Sequence, residues 1–186
     1  MVNKQSPQEK QQGFTQSFTF RLTIAAVFAA LVFVVTSQIP PIPIPTTSGY
    51  FNVGETTIYI AALVFGPLVG VLAGGIGSAL SDIYLGYALF APGTLVIKGA
   101  EGLIVGFLNV HLRRYIKNLS MCATISVLVG GLEMVTGYFL YEQFIVGYAA
   151  FAEVPFNIVQ MLIGLIVAVP VMHAVFRVVP QLKSQF

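Results

Sequence analysis

Lys98 and Glu101 stand inside an apolar run, APGTLVIKGAEGLIVG from Ala91 to Gly106. A charge at membrane depth costs roughly 2.5–3.5 kcal/mol on insertion scales, so it persists only where it faces protein, water or a ligand. Three residues apart, the two share a helix face and can pair. Thr94, one turn earlier, lies on the same face. The plainer alternative is an internal salt bridge that only joins helices. Other polar groups sit at similar places. Glu133 is inside a later apolar run. Glu153, Asn157 and Gln160 follow i, i+4, i+7 spacing and form one stripe. Asp82 and Glu55 lie at the ends of two further runs. Carboxylates, amides and one ammonium offer directional hydrogen bonds to a ligand. Catalysis has little support. There is no His-Glu-x-x-His helix, and His111 and His173 are isolated. Gly75-Ile-Gly-Ser78 only faintly echoes a serine-hydrolase motif, with no buried His as base. No catalytic residue and no metal site is expected.

These residues must be held by a membrane protein. The 186 residues are 56% hydrophobic and 9% charged, against about 25% charged in a soluble domain. Mean hydropathy is +0.86. A span takes about 20 residues, so the length suits six helices and leaves no room for an ATPase domain. Net charge is +2, and the bases lie at helix ends, so nucleic acid is not a partner. The single Cys122 excludes an intrachain disulfide and a thiolate metal cluster.

The expected fold is an all-α membrane protein with six transmembrane helices. Residues 1–16 are polar and are expected to form a disordered cytoplasmic tail. A six-helix membrane domain covers 17–179, and 180–186 form a second cytoplasmic tail. The helices are expected at about Ser17–Ser37, Gly54–Phe65, Leu68–Tyr84, Gly93–Leu112, Leu119–Leu140 and Phe151–Val178. The first carries Ala25, Ala26, Ala29 and Ala30, small residues four apart that let another helix approach closely. After it comes a Pro-Ile loop holding Pro40, Pro41, Pro43 and Pro45. Proline keeps such a chain extended, either as a lid or as a stiff connector. The short second helix stops at Gly66-Pro67. In the third, Gly66, Gly70 and Gly74 repeat every four residues beside Ala73, Gly77 and Ser78, which suits backbone-to-backbone packing. On the fifth, Ser126, Gly130, Glu133, Gly137 and Tyr141 are expected along one face. Pro170 predicts a kink in the sixth.

Lys4, Lys10, Arg21, Arg113, Arg114, Lys117, Arg177 and Lys183 all fall at one end of this arrangement. The positive-inside rule then puts both termini in the cytoplasm. At 1.5 Å per residue, Lys98, Glu101, Glu133, Glu153, Asn157 and Gln160 lie within about 15 Å of the outer surface. Tyr50, Tyr87 and Tyr141 lie in the outer loops. Scattered salt bridges would not choose one side, and an aromatic belt would mark both. A ligand pocket in the outer half, closed by three aromatic loops, is therefore expected.

These motifs carry a resemblance. The paired Ala-x-x-x-Ala, YFNVGETTIYIAALVFGPLVGVLAGGIGSALSD from Tyr50 to Asp82, APGTLVIKG from Ala91 and NIVQ from Asn157 resemble the substrate-binding S component of energy-coupling factor (ECF) vitamin transporters, in particular the riboflavin type. The similarity runs from about Phe18 to Val178. It implies high-affinity capture of a vitamin or precursor from outside, in the prokaryotic plasma membrane. It also implies partners: a transmembrane coupling subunit and two cytoplasmic ATPases. ATP would be used by those ATPases, and no cofactor belongs to this chain. The small-residue motif of the first helix would dock the coupling subunit, through Ala25 and Ala29 or Ala26 and Ala30. Many carboxylates against one lysine favour a neutral or cationic ring, such as a pyridoxine-like vitamin, hydroxymethylpyrimidine or thiamine, with riboflavin possible. The competing account is a self-standing proton-coupled carrier relaying protons through Glu101, Glu133 and Glu153. Against it, no inverted repeat and no polar path through the inner half is evident.

Overall fold

Apolar runs and their punctuation set the architecture. The computed structural model describes residues 18–44, 47 and 49–183. The expected N-terminal tail, and the last residues of the expected C-terminal one, lie outside them. Six main helices appear: α1 (Phe18–Gln38), α2 (Gly54–Phe65), α3 (Pro67–Leu85), α4 (Ala91–Leu112), α5 (Leu119–Ile145) and α6 (Val154–Val178). A 3-10 turn, Gly147–Ala152, leads into α6, and a short α7 (Pro180–Lys183) follows it. Between α1 and α2, strands β1 (Ile42–Ile44) and β2 (Gly49–Phe51) pair antiparallel, Ile42 opposite Phe51 and Ile44 opposite Gly49. The Pro-Ile loop is thus partly a β-hairpin.

Local chemistry explains the boundaries. Gly66, at φ 85°, ends α2 and donates its N–H to the Ala62 carbonyl, and Pro67 starts α3. Gly86, at φ 88°, ends α3 by donating to the Asp82 and Ile83 carbonyls, a left-handed position that suits glycine. Asn118 caps α5 by accepting the Met121 N–H at 3.1 Å. Pro155 falls in the first turn of α6, where its missing donor costs nothing.

Five segments are long and apolar enough to cross a membrane: α1, α3, α4, α5 and the run from Gly147 through α6. The sixth expected span differs. Helix α2 has 12 residues, about 18 Å, well short of a ~30 Å hydrocarbon core. Its residues Ile58, Tyr59 and Ala61 to Val64 are almost wholly buried among the other helices. The tight Gly66-Pro67 turn pins its C-terminus to the start of α3. Its N-terminus therefore stops roughly 10 Å below the far end of the 19-residue α3. The β-hairpin fills the space above.

Glycine brings α3 against its neighbours. A Cβ on Gly70 would run into the Gly102 carbonyl of α4, and one on Gly102 into the Gly70 carbonyl. A Cβ on Gly77 would lie 2.6 Å from the Ala29 carbonyl of α1. The backbone packing expected of the third helix is what holds α1, α3 and α4 together. At the basic end, Tyr59, Leu63, Val105, Val127, Met172 and Phe176 belong to one buried apolar core.

Candidate functional site

Five helices and the hairpin bring polar side chains to the end opposite that core. The pocket wall takes Thr36 from the end of α1 and Tyr50 and Asn52 from the hairpin segment. Ser78 and Asp82 come from the end of α3, Thr94 and Lys98 from the start of α4. Tyr138 and Glu142 come from the end of α5, and Glu153, Asn157 and Gln160 from the start of α6. Tyr87 and Phe90 add aromatic surface. The antiparallel order of the helices dictates this: the C-terminal ends of α1, α3 and α5 meet the N-terminal ends of α4 and α6.

Lys98 sits at the floor. Its ammonium bonds Glu55 of α2 and reaches Glu101 at 3.3 Å. Seven residues into α4, it lies about 10 Å below that helix's start. The shortness of α2 brings Glu55 to the same depth. Gln160 Nε2 donates to Glu55 Oε2 at 3.0 Å, and the Tyr59 hydroxyl donates to Glu101 Oε1 at 2.7 Å. The lysine also lies 5.5 Å from the Tyr138 ring centre. Both the pairing and the shared face expected of Lys98 and Glu101 are present, with Glu55 as the nearer partner.

The hairpin forms the roof. The Tyr50 hydroxyl donates to Asp82 Oδ1 at 2.6 Å. Burial first, then the Asp82 carboxylate, push that phenol above its ordinary range, so it stays a donor. The Asn52 N–H donates to Gln160 Oε1 at 3.1 Å, and the Thr47 hydroxyl bonds Glu153. Tyr50 and Tyr87 rings pack at 4.7 Å between centres. The enclosed space is about 40 Å³, room for a few waters at about 10–15 Å³ each. That space is smaller than a vitamin-sized molecule.

Of the residues singled out from sequence, Lys98, Glu153, Asn157, Gln160, Asp82, Tyr50 and Tyr87 share this wall. Three do not. Glu101 is fully buried behind Lys98, held by Tyr59. Tyr141 turns away and donates to the Leu89 carbonyl at 2.9 Å. Glu133 is half-buried off the pocket wall, one carboxylate oxygen buried without a partner. The cause lies in α5, which continues to Ile145 rather than stopping near Leu140. Its buried residues pass from Ser126 and Gly130 to Met134 and then Glu142. Each step of four turns the stripe by roughly 40°, away from the Glu133–Gly137–Tyr141 line. Glu142 was hidden because that stretch reads as an aromatic loop. Its i, i+4 spacing from Tyr138 was the available signal.

The small-residue face of α1 is also resolved. Ala25 is buried, while Ala26 and Ala30 are exposed, with Ala29 between. The four alanines line an apolar groove of about 860 Å³ together with Leu22, Phe33, Leu72, Ile76, Leu80, Ile83 and Tyr84 of α1 and α3.

The sequence that builds this bundle matches a known family. The sequence profile of the ECF-type riboflavin transporter S component fits residues 17–177. The chain belongs to that family. It is a multi-pass protein of the prokaryotic cell membrane with a vitamin- or precursor-transport role, and not an enzyme. Among similar proteins, one from Pyrococcus woesei, described only as uncharacterized, is 42% identical over 134 residues, covering 72% of this chain and 86% of that protein. The thiamine precursor transporter HmpT of Lactococcus lactis subsp. cremoris is 31% identical over 150 residues, covering 80% of this chain and 82% of HmpT.

Proposed function

We propose that this S component captures a water-soluble vitamin or precursor from outside the cell and hands it inward with a coupling subunit and two ATPases. One observation carries the reading: buried polar side chains from five of the main helices, roofed by a hairpin, enclose one pocket at the end away from the basic residues. Arg21, Arg113, Arg114, Lys117, Arg177 and Lys183 gather at the other end, which supports cytoplasmic termini and an outward-facing pocket. The contact residues are Asp82, Glu153, Asn157 and Gln160 on the helices, with Tyr50 and Tyr87 above them and the ion-paired Lys98 at the floor. The acidic wall favours a neutral or cationic ring, in line with thiamine, hydroxymethylpyrimidine or a pyridoxine-like vitamin, over an anion such as folate or pantothenate. The Lactococcus relative, a thiamine precursor transporter, points the same way. The exposed Ala26–Ala30 pair is the register that meets the coupling subunit.

The test is native mass spectrometry of the freshly purified protein, followed by titration with a vitamin panel. A bound vitamin-sized mass, or tight binding of one member, is expected. No bound mass and no binding across the panel would reject the capture role. Uphill uptake in liposomes under a proton gradient, without ATPases, would favour the self-standing carrier instead.

A further inference from the structure

Several buried polar atoms on the pocket wall have no hydrogen-bond partner. They are Glu142 Oε2, Asp82 Oδ2, Thr36 Oγ1 and Asn157 Nδ2. Their residues are 2%, 3%, 2% and 8% exposed. Buried polar groups are almost always paired, so unpaired ones around one cavity mark what an occupant must supply. Two are carboxylate oxygens and one a hydroxyl, against a single amide donor. Glu153 lines the same wall as Glu142. Two carboxylates cannot satisfy each other without a proton or a positive donor between them.

Lys98 does not correct this balance. Its ammonium is already engaged by Glu55 and Glu101, two carboxylates against one base. No other Lys, Arg or His lines the pocket among the described residues. The aromatic surface of Tyr50, Tyr87, Phe90 and Tyr138 can cover both a flat ring and its charge.

We infer that the pocket is built for a cationic nitrogen heterocycle with N–H donors on two edges, read by Glu142 and Asp82 as acceptors and by Asn157 as the lone donor. In this arrangement Lys98 is an internal counter-ion rather than a ligand contact. The inference rests on the capture reading above and specifies the ligand chemistry of that site. It makes Glu142 the specificity-determining residue.

The experiment is calorimetric titration of the full-length protein in detergent. The probes are 4-amino-5-hydroxymethyl-2-methylpyrimidine, its 4-oxo analogue, thiamine, riboflavin and pantothenate. The 4-oxo analogue puts a carbonyl acceptor where the amino donor stood and moves an N–H onto the adjacent ring nitrogen, which inverts the donor–acceptor order of that edge. The aminopyrimidine or thiamine should bind, with the amino form at least tenfold tighter than the 4-oxo form. Glu142→Gln should weaken the amino form at least tenfold while the thermal transition stays near wild type. If that variant does not fold, the amino/oxo ratio on the wild-type protein decides alone. Equal binding of the two pyrimidines, or unchanged affinity in a folded Glu142→Gln, overturns the inference. Binding of riboflavin or pantothenate without either pyrimidine or thiamine also overturns it, yet leaves vitamin capture standing. Binding of no probe overturns the capture reading and this inference with it.

Discussion

The Tyr50 hydroxyl of the hairpin donates to the Asp82 carboxylate at the end of α3 at 2.6 Å. This bond ties the roof of the pocket to its wall. The hairpin is otherwise fastened by the Asn52–Gln160 and Thr47–Glu153 bonds. Hydrogen bonds to charged groups contribute about 1.5–3 kcal/mol and neutral ones about 0.5–1.5 kcal/mol, so the two bonds to carboxylates bear most on how long the roof stays shut. Tyr50→Phe should keep the ring packed on Tyr87 but release the latch. Dissociation of the ligand that co-purifies should become about tenfold faster, with association much less affected. Stopped-flow tyrosine fluorescence would read both rates. An unaltered dissociation rate would show that the latch does not hold the roof.

Lys98 should matter to stability more than to recognition. It is almost wholly buried and pairs with Glu55 and Glu101 at the junction of α2 and α4. Removing one partner of a buried charge pair costs about 3–5 kcal/mol, because the other is left uncompensated. Lys98→Met should lower the melting temperature markedly, and Lys98→Met with Glu55→Gln should recover part of the loss. Cys122 is the single cysteine and is buried. A thiol-reactive dye therefore reports unfolding directly. Equal melting of wild type and the single variant would remove the structural role.

The approach of α3 to α4 has its own test. Gly102 faces the Gly70 carbonyl with no room for a methyl group. Gly102→Ala should force the helices apart at about 1–3 kcal/mol, the usual cost of overpacking. Leu103→Ala is the control, since Leu103 is exposed on the same helix. The same dye assay should show a clear drop for Gly102→Ala and little change for Leu103→Ala. Similar behaviour of the two would mean that the glycine contact is slack.

Much of this was legible in the sequence because the membrane imposes simple rules. Gly66-Pro67, the glycine repeat of α3 and the Glu153–Asn157–Gln160 stripe are short-range patterns, and short range suffices for helix ends and faces. Lys98 and Glu101 announced themselves by the cost of burying charge. What could not be seen was long-range. Glu55 reads as a first-turn acid, and only the depth at which α2 starts makes it the main partner of Lys98. The hairpin replaced part of a proline-rich loop because its two strands pair across residues that no local periodicity marks. Glu133 and Glu142 differ by the rotation of α5 against its neighbours. A single-helix pattern does not contain that rotation.

The alanines of α1 separate folding from assembly. Ala25 is 2% exposed and packs beside Val32, Ala61 and Ala73. Ala26 and Ala30, one turn apart, look outward from the apolar groove. Small residues at such spacing let a partner helix come close enough for backbone contact, and a larger side chain holds it off. Ala26→Leu should therefore leave the melting temperature and ligand binding at wild-type values while sharply reducing co-purification with the coupling subunit. Ala25→Leu should do the reverse first: it overfills the α1–α3 core and lowers the melting temperature, at about 1–3 kcal/mol. Pull-down yields of the two variants, normalised to folded protein by the dye assay, distinguish the faces. Wild-type assembly of Ala26→Leu would place the coupling subunit elsewhere on the bundle.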